Sequence, residues 1–352
     1  MFIENVFLDV ELLVRISFGV RLPVSGPLAT LEAVEAVANA AENFGYDSIW
    51  VHDHILWNKK THEHHISSGS ANALKDQPEP VFLESLTVLS YLSALTKRIK
   101  LGVACMVMPC RSPIYLAKQA STIDLLSKGR LILGVGSGSK ATRLAREFDV
   151  FGVPSSKRTV RTVEYVKAMR ELWTQPSANF SGTYVCFTDA VMYPKPIQKP
   201  HPPVWIGGWS ERTVERAAAI GDGWIPGWLR PNEMAKGVVE LNDLARKYGR
   251  DPTKITIAVE KYLCLSRDRE KAVAQAVGTI KQSRDTYERV VENLNIAREA
   301  HIFGGVDEVN SQIDRFVEAG VTHFEFKCIY SSIDELLGMM ELFADKIMPR
   351  FK

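Results

Sequence analysis

Eight times along the chain, a short run of β-branched and aromatic residues ends in a turn and gives way to a segment with helical spacing. The strand runs are Arg15–Leu22, Asp47–His54, Ile99–Met106, Arg130–Val135, Val204–Ile206, Gly223–Ile225, Ile255–Leu265 and Thr322–Lys327. Apolar strands alternating with amphipathic helices predict a parallel sheet covered by helices. Eight such units predict an α/β fold of the (β/α)8 TIM-barrel type, where a doubly wound sheet needs only five or six strands. Thr30 caps the first helix and Gly45 stops it. Further helices are expected at Val81–Thr96, Ser112–Leu126, Ser155–Trp173, Ser210–Ile220, Pro231–Tyr248, Val306–Ala319 and Ile333–Met348. A long charged helical region spans Arg269–Ala300.

Two stretches break this rhythm. Leu56–Pro80 is a long polar loop of the kind that forms lids and binding loops. Gln175–Pro203 holds Pro176, Pro194, Pro196, Pro200, Pro202 and Pro203, with a turn between short strands at Phe180–Tyr184. It reads as an insertion in the barrel. Residues 1–14 read as an N-terminal extension and 15–352 as one barrel domain.

Bulk properties exclude several classes. The net charge of +2 and the lack of any Lys/Arg run argue against a nucleic-acid partner. Glu4, Asp9 and Glu11 interrupt the apolar N-terminus, and no basic segment precedes it, so no signal peptide is expected. No uncharged apolar run reaches the length of a membrane span. The five cysteines are odd in number and scattered, which suits reduced thiols in a cytoplasm.

The chemistry concentrates where strands end. Asp47–His54 is a buried-strand pattern that stops in His52-Asp53-His54. Period-two alternation puts both imidazoles on one face. At the carboxyl end of a barrel strand, His54 suits a proton donor or orienting group. An H-x-H pair also begins a metal site, but such a site needs further ligands, and no other strand end supplies one. His62, His64 and His65 lie in the polar loop without a scaffold, and no metal is expected there. Gly136-Ser137-Gly138-Ser139 lacks the third glycine of a dinucleotide fingerprint. It reads either as a tight turn or as a backbone approach to an anionic or planar ligand. Gly207-Gly208-Trp209-Ser210 joins a strand to a helix with Ser210 at the N-cap, which is either an ordinary capped turn or a phosphate cradle. Trp57, Trp209, Trp224 and Trp228 fall near strand tops, where a flat ring could stack.

Three stretches carry a resemblance: Gly45–Val51 with Asp53-His54, Pro113–Gly138, and Pro194–Pro226. From about residue 15 onward the chain resembles the bacterial luciferase-like superfamily of flavin and deazaflavin oxidoreductases. Within it the chain is most similar to the branch dependent on coenzyme F420. The resemblance implies a (β/α)8 barrel with an insertion, a homodimer, and a flavin-type ring across the strand ends. It implies that the end of strand three, near Ala104-Cys105, meets the ring, often through a cis peptide. Gly136, Ser137 and Gly138 match the loop that contacts the cofactor tail. Gly207, Gly208 and Ser210 match its phosphate site, with Trp209 between them. Asp53-His54 matches an Asp-His pair in which the histidine exchanges a proton beside the hydride centre and the aspartate orients it. The superfamily's sugar-phosphate dehydrogenase carries a Glu just after the glycine loop, where this chain has Ser139. It also has a Trp where this chain has Asn58, with Trp57 one position away. Both departures argue against a sugar phosphate substrate.

The expected function is F420-dependent hydride transfer to or from a small organic substrate, with His54 as proton donor or acceptor and Leu56–Pro80 as a cover. The same barrel serves a second reading, a monooxygenase using reduced FMN from a separate reductase. A third is a flavin- or deazaflavin-binding protein without catalysis.

Overall fold

A computed structural model describes residues 15–56, 81–138, 145–283 and 298–352. The predicted extension at 1–14 and loop residues 57–80, with their histidines, lie outside the described residues, as does Ser139. The strands are β1 (Ser17–Arg21), β2 (Ser48–Val51), β3 (Lys100–Val107), β4 (Leu131–Gly136), β5 (Ala178–Ser181), β6 (Cys186–Ala190), β7 (Val204–Gly207), β8 (Gly223–Ile225), β9 (Thr256–Leu265), β10 (Ile302–Gly304) and β11 (His323–Cys328). The α-helices are α1 (Leu31–Asn43), α2 (Ser85–Leu95), α3 (Pro113–Leu126), α4 (Ala145–Val150), α5 (Arg158–Thr174), α6 (Glu211–Ile220), α7 (Pro231–Lys247), α8 (Arg269–Ser283), α9 (Val306–Glu318) and α10 (Ile333–Lys346).

The strands β1-β2-β3-β4-β7-β8-β9-β11 pair in parallel and close, β11 onto β1. This is the (β/α)8 barrel that the eightfold alternation predicts. The Gln175–Pro203 excursion contains the expected pair of short strands, β5 and β6, in an antiparallel hairpin. Two elements carried no expectation. One is α4, after the glycine loop. The other is β10, a three-residue strand that pairs with the far end of β9. Of the predicted helix Arg269–Ala300, the first half is α8, and residues 284–297 lie outside the described residues.

Helices lie on the barrel by periodicity. In α1, Val34, Val37, Ala38 and Ala41 are buried at the spacing of one helical face. Thr30 caps it as expected, its hydroxyl accepting from the Ala33 amide at 3.2 Å. Inside the barrel, Trp50, Ala104, Ile132, Trp205, Ile225 and Ala258 form one packed cluster. Trp50 is accommodated because its neighbours lack side chains. A Cβ on Gly19 or Gly102 would lie 2.4 or 2.2 Å from the indole. Below this layer Trp50 donates to Ser48 Oγ at 2.7 Å, and Ser48 meets His323 Nε2 at 3.1 Å. Burial, then the charge of Lys100, pushes His323 down to about 3, so this imidazole plugs the amino end of the barrel as a neutral group.

Above the layer sits a buried ionic network. The register sets Glu325 of β11 beside Glu260 of β9. Like charges facing across strands repel. Arg21, at the end of β1, resolves the repulsion. It grips Glu325 through Nε and Nη2 at 2.8 and 2.9 Å, and Glu260 through Nη2 at 2.6 Å. Burial alone would lower Arg21, but the two carboxylates outweigh it and hold the guanidinium above its ordinary range. Burial, with Glu260's charge adding against Arg21's, leaves Glu325 raised to about 7.

Truncating Glu325 to Ala takes the carboxylate from Arg21 Nε and leaves a buried guanidinium with Glu260 as its remaining ionic partner. We expect a loss of ~3–5 kcal/mol in urea unfolding, the cost typical of breaking a buried pair from one side. Glu325→Gln keeps an acceptor for Arg21 and should lose markedly less; equal losses would contradict the pairing.

Candidate active site

The chain leaves β2 through His52, Asp53 and His54, and extended backbone sends neighbouring side chains to opposite sides. Asp53 therefore points away from His54. Its carboxylate accepts from the Val107 amide at 2.9 Å, from Ser85 Oγ at 2.9 Å and from Arg111 through Nε and Nη2. It joins the exit of β2 to the end of β3 and the start of α2. The expected Asp53–His54 contact is replaced by another. Glu147 of α4 meets His54 Nδ1 at 3.1 Å. The same carboxylate accepts from the amides of Ile55 at 2.7 Å and Leu56 at 3.2 Å.

Burial raises Glu147, but the hydrogen bond from His54 and the two amides outweigh it, so its pKa falls below the ordinary carboxylate value. An ionised Glu147 accepts a hydrogen bond from Nδ1–H, which puts the ring's basic lone pair on Nε2. The His54 side chain is 22% exposed and its ring meets Phe82 edge-on at 6.0 Å. His52 shares that phenyl at 4.8 Å, so both imidazoles keep to one side as the alternation predicts. Among the described residues, no three His, Cys, Asp or Glu side chains come together to hold a metal ion.

The other predicted segments surround the same carboxyl end. The Ala104–Cys105 peptide is cis, as the resemblance implies. Burial pushes the Cys105 thiol well above its ordinary range, so it stays protonated and is no nucleophile. Gly136, Ser137 and Gly138 follow β4, with Gly138 at φ +71. Gly207, Gly208 and Trp209 follow β7 and lead to Ser210, the N-cap of α6. Gly208 adopts φ +120, and a Cβ there would also crowd Thr213 at 3.1 Å. Trp209 is 38% exposed.

Ser210 caps by backbone conformation only. Its hydroxyl turns to Thr213 Oγ1 at 2.9 Å, which accepts from Arg216 Nη2 at 2.8 Å. Arg158, at the start of α5, has Nε and Nη1 buried with no hydrogen-bond partner. Burial lowers both arginines, and the charges of Arg158 and Arg212 lower Arg216 further, against Glu215. Three guanidinium groups thus crowd beside a helix N-terminus, an arrangement that an anion would relieve. The arginines were missed in the sequence, where they resemble solvated helix faces.

Of the predicted tryptophan cluster, Trp57 lies outside the described residues and Trp224 does not reach the mouth. β8 alternates, so Gly223 and Ile225 face inward and Trp224 packs outward under α7, where a Cβ on Gly237 would lie 2.5 Å from its ring. Its indole donates to Gly208 O at 2.9 Å and so supports the cradle from behind. Trp228 stays at the strand tops, edge-on to Tyr262 at 5.6 Å.

The family model of luciferase-like monooxygenases matches residues 10–323. The chain belongs to this family. Over 337 residues, the luciferase-like chain is 30% identical to an F420-dependent glucose-6-phosphate dehydrogenase of Amycolatopsis mediterranei, covering 89% of this chain and 92% of that one. Over 205 residues, it is 29% identical to an FMNH2-dependent dimethylsulfone monooxygenase of Pseudomonas putida, covering 57% of this chain and 54% of that one. The structure of an F420-dependent secondary alcohol dehydrogenase, in complex with an F420-acetone adduct, superposes with a TM-score of 0.76 at 21% identity. That match covers 96% of this chain and 99% of that one. No helix among the described residues of this luciferase-like protein is long and apolar enough to cross a membrane.

A carboxylate with a depressed folded pKa contributes stability above its unfolded value of 4.5 and loses it as pH falls through the folded value. The melting-temperature gap between wild type and Glu147→Gln should therefore be full at pH 6–7 and shrink as pH falls below 4.5 through the lowered folded value. A gap independent of pH, followed by circular dichroism at constant ionic strength, would contradict the ionised Glu147.

Proposed function

We propose that this chain is an F420-dependent oxidoreductase acting on a small organic substrate. The observation that carries the reading is the pairing, around one barrel mouth, of a carboxylate-oriented imidazole with an arginine-rich anion cradle. The buried, unpartnered nitrogens of Arg158, whose charge acts on Arg216 of α6, fit the phosphate of such a cofactor's tail. Arg158 and Arg216 hold that phosphate, and the backbone of Gly208 lets it approach the α6 N-terminus. Three guanidinium groups exceed what one phosphate dianion needs and suit a tail that continues in carboxylates. The F420-dependent relative also matches over most of both chains.

When bound, the deazaflavin ring supplies or takes up a hydride. His54 gives or takes the accompanying proton through Nε2. Glu147 keeps Nδ1–H fixed and stabilises the imidazolium when the proton resides there. Asp53 holds the strand exit that carries His54, through Arg111 and the Val107 amide. The second reading is a monooxygenase using reduced FMN, favoured by the Pseudomonas putida relative.

Titration of the purified protein with F420 and with FMN, read by fluorescence quenching, separates the two. Tighter F420 binding supports the proposal; the reverse preference supports the monooxygenase. Arg158→Ala should weaken binding of the preferred cofactor by roughly tenfold, the loss of one charge-assisted hydrogen bond. With a substrate drawn from a screen of alcohols, enones and imines, His54→Ala should cut turnover ~100- to 10,000-fold and leave cofactor affinity unchanged. Retained turnover in that variant would remove His54 from the chemistry.

A further inference from the structure

Across the mouth from the helix that carries Glu147, the ionic network of the barrel interior comes to the surface at one point. Arg21 is nearly sealed and Glu325 fully so, but the side chain of Glu260 is 30% exposed. Its Oε2 accepts from Arg21. Among the described residues its Oε1 accepts no hydrogen bond, and the backbone beside it is bare, since a Cβ on Gly227 would lie 3.9 Å from Oε1. We propose that Glu260 recognises the substrate, its Oε1 accepting a hydrogen bond from a neutral hydroxyl or amide N–H on a flat apolar body. The inference rests on the reading of this mouth as the active site.

Three observations carry it. First, the carboxylate is held in place. Arg21 clamps it from below, and the Glu260 amide donates to Pro226 O at 3.0 Å. Burial raises its pKa, but the charges of Arg21 and Lys327 outweigh that and keep it ionised, hence an acceptor only.

Second, the charge around it is offset. The charges of Arg21, Lys327 and Lys261 all act on Glu260, and Glu325 is held only partly ionised, so no excess negative field draws a cation. That favours a neutral donor over an ammonium.

Third, the wall beside it is aromatic. Tyr262 lies two residues on along β9 and shares the face of Glu260. Its ring meets Trp228 at 5.6 Å and His301 at 5.0 Å, and Trp228 meets His301 at 4.6 Å, all edge-on. His301 is 2% exposed, and neither ring nitrogen has a hydrogen-bond partner. Burial, then the charges of Lys261 and Lys327, drives it well below its ordinary value, so it stays neutral and adds no charge to the wall. Carboxylate and aromatic wall together suit a planar group with a polar donor at one edge.

The test uses three probes with the cofactor-loaded protein: benzyl alcohol, benzyl methyl ether and benzylamine, with affinities read from ligand-observed NMR. Wild type should bind the alcohol about tenfold or more tightly than the ether, since the ether leaves a desolvated charged acceptor unpaired. In Glu260→Gln the carbonyl must serve Arg21, so the amide NH2 faces the mouth. Alcohol and ether both accept from it, and the discrimination should collapse to within about twofold. Cofactor titration and circular dichroism on the same variant should match wild type. Equal binding of alcohol and ether by wild type, unchanged discrimination in Glu260→Gln, preference for benzylamine, or binding of none of the three would overturn the proposal. Failure of the cofactor to bind wild type at all would instead overturn the active-site reading beneath it.

Discussion

Arg21 is the piece on which the interior depends. Parallel pairing places Glu260 and Glu325 side by side, with Glu325 fully buried and Glu260 reaching solvent only in part. Neither strand can shift register without turning its apolar residues inward and outward in the wrong order. The repulsion must therefore be answered by a cation reaching from elsewhere. Arg21 does so from β1, with a weaker reach to Ala104 O on β3 at 3.4 Å. One planar guanidinium thus links four barrel strands, β1, β3, β9 and β11, just beneath the mouth. Its planarity and several donors suit this better than the single ammonium of a lysine.

The groups above that network divide by side. On the β2 side, a histidine is held by a carboxylate, the pair to which the proposed reading gives proton exchange. On the β7 side lie the glycines and arginines that the proposed reading gives to an anion. On the β9 side stand the Glu260 carboxylate and the aromatic rings beside it, which we propose meet the substrate. The three sides come from strands far apart in sequence, which is how this barrel gathers chemistry at one end. The cysteine at the centre of the mouth is chemically quiet, because burial keeps its thiol protonated.

Much of the fold was legible because barrel strands buried on both faces read as apolar runs between turn residues. All eight were placed from that pattern. His54 was legible for a related reason, since a buried strand does not end in titratable groups by packing alone. Its partner was not. Glu147 lies 93 residues away in a six-residue helix too short to show periodicity. Asp53 drew the orienting role from the resemblance to an Asp-His pair, but neighbours in extended chain point in opposite directions. Trp224 was misplaced by the same alternation, in a strand of three residues where one position decides inside from outside. Arg158 and Arg216 sit on helices where arginines are ordinary, and only the tertiary structure shows that their charges crowd. Glu260 and Glu325 were visible as acids inside strands, but their opposition required the register.

The space taken by Trp50 has a consequence for how this sequence can vary. The indole fills the volume of two absent side chains, at Gly19 and Gly102, while Trp205 does the same to Gly223, where a Cβ would lie 2.5 Å from its ring. These five positions are one set of volumes shared among five strands. A smaller residue at Trp50 alone opens a void, and a larger one at Gly19 alone meets the ring. Substitutions here can persist only as compensating pairs, large to small on one strand with small to large on its neighbour. In a set of related sequences these positions should therefore change together or stay as they are.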